Sequence, residues 1–173
     1  MAFLRILDNY FERTVLTIAF FLCAGIVAEE VFRRYVFSTQ APWSTYVPSY
    51  MFLWITYLGA AYSVKLRIHL NFGEIRALMP RTAQYWMLQL DYVLFIVFSS
   101  VVIYYSVDLL GLQMDNESIV PGTDNVMAWW FYTATPVGFT LVIIRVIQNA
   151  IGDYRDLKSG APIRVKGQML AHD

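Results

Sequence analysis

Charge is what this sequence has least of. Only 15% of its 173 residues are Asp, Glu, Lys or Arg, against 58% hydrophobic ones, and the 13 basic residues balance the 13 acidic ones. A soluble domain carries more charge than this, and a net charge of zero offers no basic face to nucleic acid. A single cysteine, Cys23, excludes an internal disulfide and says nothing of redox compartment. The 2 histidines, His69 at an apolar boundary and His172 near the C-terminus, are too peripheral for a metal site or for axial haem ligands inside a bundle. No phosphate loop, nucleophile–base pair or carboxylate pair is present, and nothing in the chain reads as catalytic.

What the sequence has in abundance is long apolar segments. A bilayer core of ~30 Å takes about 20 helical residues. Four segments meet or approach that length: about 11–37, 48–65, 82–112 and 126–157. Trp and Tyr collect at their ends, where amphipathic rings sit at membrane–water boundaries. Trp43, Tyr46 and Tyr50 open the second segment, Tyr85 and Trp86 the third, and Trp129 and Trp130 the fourth. Pro136 inside the fourth is compatible with a membrane helix, because neighbouring groups satisfy the freed carbonyl. The expected fold class is all-α: one four-helix membrane domain over 1–157, then a flexible tail over 158–173. Segment one, about 39 Å long as a helix, must tilt or protrude.

Basic residues set the expected orientation. Arg5, Arg13, Lys65, Arg67, Arg76, Arg81, Arg145, Arg155, Lys158, Arg164 and Lys166 fall on one side, and only Arg33 and Arg34 on the other. The link between segments three and four has no Lys or Arg but carries Asp115, Glu117 and Asp124. Both termini are therefore expected in the cytoplasm. A competing reading takes residues up to Ala28 as a cleaved signal peptide. Asp8 and Glu12 in the leading region, and helical character that continues past Ala28, favour an uncleaved span.

Residues 70–80 carry their own pattern. Asn71 and Glu74 resemble a capping box, Phe72, Ile75, Leu78 and Met79 share a face, and Pro80 ends the segment. This predicts a short amphipathic helix lying in the membrane interface, in contact with lipid.

Ionisable groups inside membrane spans are costly and are candidate sites for that reason. Glu29 with Arg33, and Glu30 with Arg34, are i,i+4 pairs with the acid first, the favourable order. They read either as two self-neutralising pairs or as cations offered outward to a partner. Asp91 lies about 13 Å into segment three, with Lys65 and Arg145 as expected ion-pair partners, within the chain or across subunits. One carboxylate is a poor cation cage. No polar stripe or paired broken helix suggests a substrate path of the chain's own.

Several pieces in order resemble the small membrane subunit of tripartite ATP-independent periplasmic (TRAP) transporters. They are Phe32-Arg33-Arg34-Tyr35-Val36-Phe37, Trp43-Ser44, Trp54, Leu58-Gly59-Ala60-Ala61, Arg67-Ile68-His69, Met79-Pro80, Pro136-Val137-Gly138 and Arg145-Val146-Ile147-Gln148. Where the family commonly has one or two acids after Trp-Ser, this chain has Thr45 and Tyr46, and Pro48 is also atypical. The resemblance implies a non-enzymatic scaffold in the bacterial inner membrane. Its partners would be a large multi-span transport subunit, which holds substrate and sodium, and a periplasmic substrate-binding protein. Sodium-driven uptake of a carboxylate or sulfonate is the implied activity, with no cofactor on this chain. Arg33, Arg34, Asp115, Asn116 and Glu117 are the expected docking residues for the binding protein. Trp43, Trp54, Gly59, Ala60, Asp91 and Arg145 are expected to serve subunit packing or membrane anchoring, since small residues let helices approach. A membrane anchor of a redox enzyme, binding haem or quinone, and a self-assembling small channel or exporter are the rival readings.

Overall fold

A computed structural model describes residues 2–68 and 78–160, with side chains from residue 12 onward. The described residues form long helices: α1 (Ala2–Phe37), α2 (Tyr46–Leu66), α3 (Arg81–Asp115), a single turn α4 (Trp129–Tyr132) and α5 (Ala134–Ser159). The amphipathic helix expected over 70–80 falls mostly outside the described residues, as do His69, His172 and the tail beyond Gly160.

Among the described residues three stretches are long and apolar enough to cross a membrane: Glu12–Phe37, Arg81–Asp115 and Trp129–Ser159. The 21-residue α2 is about 31 Å long. Its tyrosines (Tyr46, Tyr50, Tyr57 and Tyr62) and Trp54 dilute its apolar character. Pro48 sits in its first turn, where a missing N–H costs nothing because those donors lack intrahelical partners. At its other end Arg67 adopts a left-handed conformation (φ 58°) and its N–H bonds the Ser63 and Val64 carbonyls. The 36-residue α1 is longer than the span read from sequence, at about 54 Å.

The fourth segment is not one continuous helix. Pro136 cannot donate to the Tyr132 carbonyl and its ring crowds that turn, so helix breaks at Thr133, between α4 and α5. The Val137 N–H then resumes bonding to the Thr133 carbonyl at 3.1 Å.

In this array α5 packs on both α2 and α3, while α1 packs on α2. The core is where α5 meets its two neighbours: Ala61 and Val64 of α2, Leu88 and Tyr92 of α3, Val142 and Val146 of α5. Gly138 sets the closest approach, since a Cβ there would lie 2.5 Å from Tyr57 Cβ. By contrast α1 and α3 expose large apolar side chains along most of their lengths, among them Phe20, Phe21, Phe32, Val97 and Phe98. For helices of membrane-spanning length this is the surface met by lipid or another membrane subunit.

Both interhelix loops described in full lie at one end. The loop after α3 folds back on itself through Val120 N–H to the Val126 carbonyl (2.9 Å) and Ala128 N–H to the Ser118 carbonyl (2.8 Å). Gly122 (φ 78°) presses on the Pro42 backbone, where a Cβ would come within 2.3 Å. Only glycine has both the space and the dihedral freedom for that contact.

Candidate functional site

Two groups of polar residues are set at opposite ends of the array. At the end away from the two loops, α5 carries Arg145, Asn149 and Asp153 at successive i,i+4 positions, all facing inward or partly so. This is a polar stripe that the sequence reading did not recognise. Arg145, 7% exposed, pairs with Glu12 of α1 and donates to Gln148 Oε1 at 2.8 Å. Lys65 of α2 reaches the other Glu12 oxygen at 3.4 Å. One carboxylate thus links α1 to both α2 and α5.

One to two turns further along, Asp153 is fully buried. Its Oδ1 meets Arg67 Nη2 at 2.8 Å and its Oδ2 accepts from the Tyr92 hydroxyl at 2.7 Å. Arg67 also donates to the Asn149 carbonyl (3.2 Å), and Asn149 Nδ2 donates to the Val64 carbonyl (2.9 Å). Arg81 Nη2 closes the last turn of α5 by donating to the Asp156 (3.0 Å) and Leu157 (3.3 Å) carbonyls. A buried charge is tolerable only when paired and hydrogen-bonded. Here each pairing joins different helices, so the network positions helices.

Glu12 and Asp153 are the residues that sequence reasoning missed. Asp91 was the acid expected to meet Lys65 and Arg145; Glu12, which that expectation did not include, bridges those two cations. Asp91 is half-buried on α3. The i,i+4,i+8 spacing of Arg145, Asn149 and Asp153 was the signal for the inward stripe. Glu12 had no such signal, because its partners lie 53 and 133 residues away.

At the loop end, Arg33 pairs with Glu29. Among the described residues no ion pair joins Glu30 to Arg34, and Arg34 is exposed. Of the two expected pairs one forms. Asp115, Asn116 and Glu117 are exposed at the end of α3, with Glu117 left-handed (φ 47°). Because the loops after α1 and α3 touch through Pro42 and Gly122, the arginines and the acidic turn share one end of the molecule.

The remaining expected residues divide. Trp43 is partly buried and its carbonyl accepts from Tyr46 N–H (3.1 Å) and Val47 N–H (3.0 Å), starting α2. The Thr45 hydroxyl accepts from Gln40 Nε2 at 3.1 Å. Trp54 is partly buried. Gly59 faces open space and Ala60 is exposed, while Ala61 is buried. Close helix approach within the chain therefore falls at Gly138, leaving Gly59 and Ala60 on an open face. Among the described residues no three His, Cys, Asp or Glu side chains gather as a metal site.

The family model for tripartite ATP-independent periplasmic transporters, DctQ component, matches residues 22–156. Among curated proteins the chain is similar to an isethionate TRAP transporter permease protein, DctMQ, of Oleidesulfovibrio alaskensis. The two are 24% identical over 156 residues, 86% of this chain and 24% of the relative. The chain thus spans about a quarter of the length of that relative. The match places the chain with transport components, and the redox-anchor alternative finds no support in it. This integral membrane protein belongs to the DctQ family, the small component of TRAP transporters.

Proposed function

We propose that the chain is the immobile scaffold subunit of a sodium-driven, binding-protein-dependent importer of a small organic anion. It packs along a large multi-span subunit in the bacterial inner membrane, with all four long helices spanning and both termini cytoplasmic. The observation that carries this reading is how its inward charges are used. Arg145 and Asp153 are each tied to other helices of the same chain, an arrangement that fixes helices and supplies no open ligand set for an ion or substrate.

Three further features support it. The relative is a permease of which this chain covers 24%, so the rest of that protein is material for a large transport subunit. The relative's name specifies isethionate, a sulfonate, which fits the anion class proposed. The exposed faces of α1 and α2, with Gly59 and Ala60 unobstructed, suit close packing against another helix. Sodium and substrate then belong to the large subunit, and Arg33, Arg34 and the Asp115-Asn116-Glu117 turn help dock the binding protein at the loop end.

The test is reconstitution into proteoliposomes. Uptake should require this chain, its large partner, a soluble binding protein and an inward sodium gradient together. Uptake that persists when this chain is omitted, or that this chain supports alone, would overturn the scaffold reading.

A further inference from the structure

A trough of about 340 Å³ runs between α3 and α5 near their Arg81 and Ser159 ends. Val93, Ile96, Ile147, Ala150 and Ile151 make it apolar, and Gln89, Tyr85 and Tyr154 add polar groups. Gln89 Nε2 is buried and has no hydrogen-bond acceptor among the described residues. A buried amide donor without an acceptor is unfavourable, so an acceptor brought by a ligand is favoured there.

The side chains at the mouth identify such a ligand. On α5 the lining positions Ile147, Ile151 and Tyr154 continue at helical spacing to exposed Lys158, one turn beyond Tyr154. On α3, Tyr85 and Gln89 extend back at the same spacing to Arg81, whose guanidinium crosses to the Asp156 and Leu157 carbonyls. Arg155 is also exposed on this turn, and the opposing acid there is Asp156, since Asp153 is engaged by Arg67 and Tyr92. The trough therefore has an apolar floor, an orphan amide donor partway along and an excess of cations at one end.

We propose that this trough is a binding site for an anionic phospholipid. One acyl chain lies along Val93, Ile96, Ile147 and Ile151. The Gln89 amide, inclined toward the Arg81 end as helical side chains are, donates to the glycerol-ester carbonyl. Lys158 faces the phosphate, and the Tyr85 and Tyr154 rings sit at headgroup level. Each cation near an anionic membrane surface contributes attraction that decays within a Debye length, which favours the end where the basic residues gather.

Native mass spectrometry of the purified full chain tests this, with palmitoyl-oleoyl phosphatidylglycerol and the diacylglycerol of the same chains as probes. Wild-type protein should retain one phosphatidylglycerol and at least tenfold less diacylglycerol. Filling the trough with Ala150→Trp, or removing the donor with Gln89→Leu, should abolish retention with the helical circular dichroism unchanged. Lys158→Glu, at an exposed position that folding does not need, should weaken phosphatidylglycerol about tenfold and leave diacylglycerol unchanged. Equal retention of the two probes by wild type, or retention unaffected by both Ala150→Trp and Lys158→Glu, would overturn the proposal. So would efficient disulfide cross-linking of Ile151→Cys to the large subunit in the assembled complex, which would make the trough a protein interface.

Discussion

Glu12 takes on two cations, and its loss should be felt at both. Glu12→Gln leaves Arg145 buried beside a neutral amide, and breaking a pair of this kind costs on the order of 3 kcal/mol. The thermal midpoint of the purified chain in detergent should fall accordingly. In a double-mutant cycle with Arg145→Gln, the combined loss should be smaller than the sum by more than about 0.5 kcal/mol. Tyr92→Phe removes the 2.7 Å bond to Asp153 and leaves a fully buried carboxylate with one donor fewer. A loss of about 1–3 kcal/mol is expected from such a deletion, read in the same melt. A charge effect of similar size from exposed Asp108→Asn would show that the melt does not report on the network.

At the scale of helices, two glycines separate packing inside the chain from packing between chains. Gly138 lies against Tyr57 with no room for a side chain, so Gly138→Leu should overpack the α2–α5 contact and lower stability by about 1–3 kcal/mol. Gly59 has nothing within 4 Å, so Gly59→Leu should leave the melt of the isolated chain unchanged. It should reduce the large subunit recovered with a tagged chain, the measurement that distinguishes a partner-facing position from a merely tolerant one. The break at Thr133 follows from the same local physics. A proline read as tolerable within one span divides it, because the residue four before it loses its donor.

The whole molecule brings Arg33, Arg34 and the acidic turn to one end although they are some eighty residues apart in sequence. Replacing Arg33 and Arg34 together by Ala should lower binding-protein-dependent uptake and flatten its dependence on ionic strength, since exposed charges act through a screened field. Unchanged uptake with unchanged salt dependence would remove the docking role. The isolated double variant should melt like wild type, because the exposed Arg33–Glu29 pair is worth at most about 0.5 kcal/mol.

Sequence alone determined the helical class, because length, hydropathy and the lack of charge leave a chain of this composition no other way to satisfy its backbone in lipid. It also carried the family signature. The stripe Arg145–Asn149–Asp153 was legible as a helical period, but its partners were not. Only the tertiary structure decided that Glu12 bridges α1 to α2 and α5, that Gly138 and not Gly59 carries the internal close contact, and that one of the two expected ion pairs at the end of α1 forms. Spacing reports which residues share a helix face; it carries no information on which distant helix that face will meet.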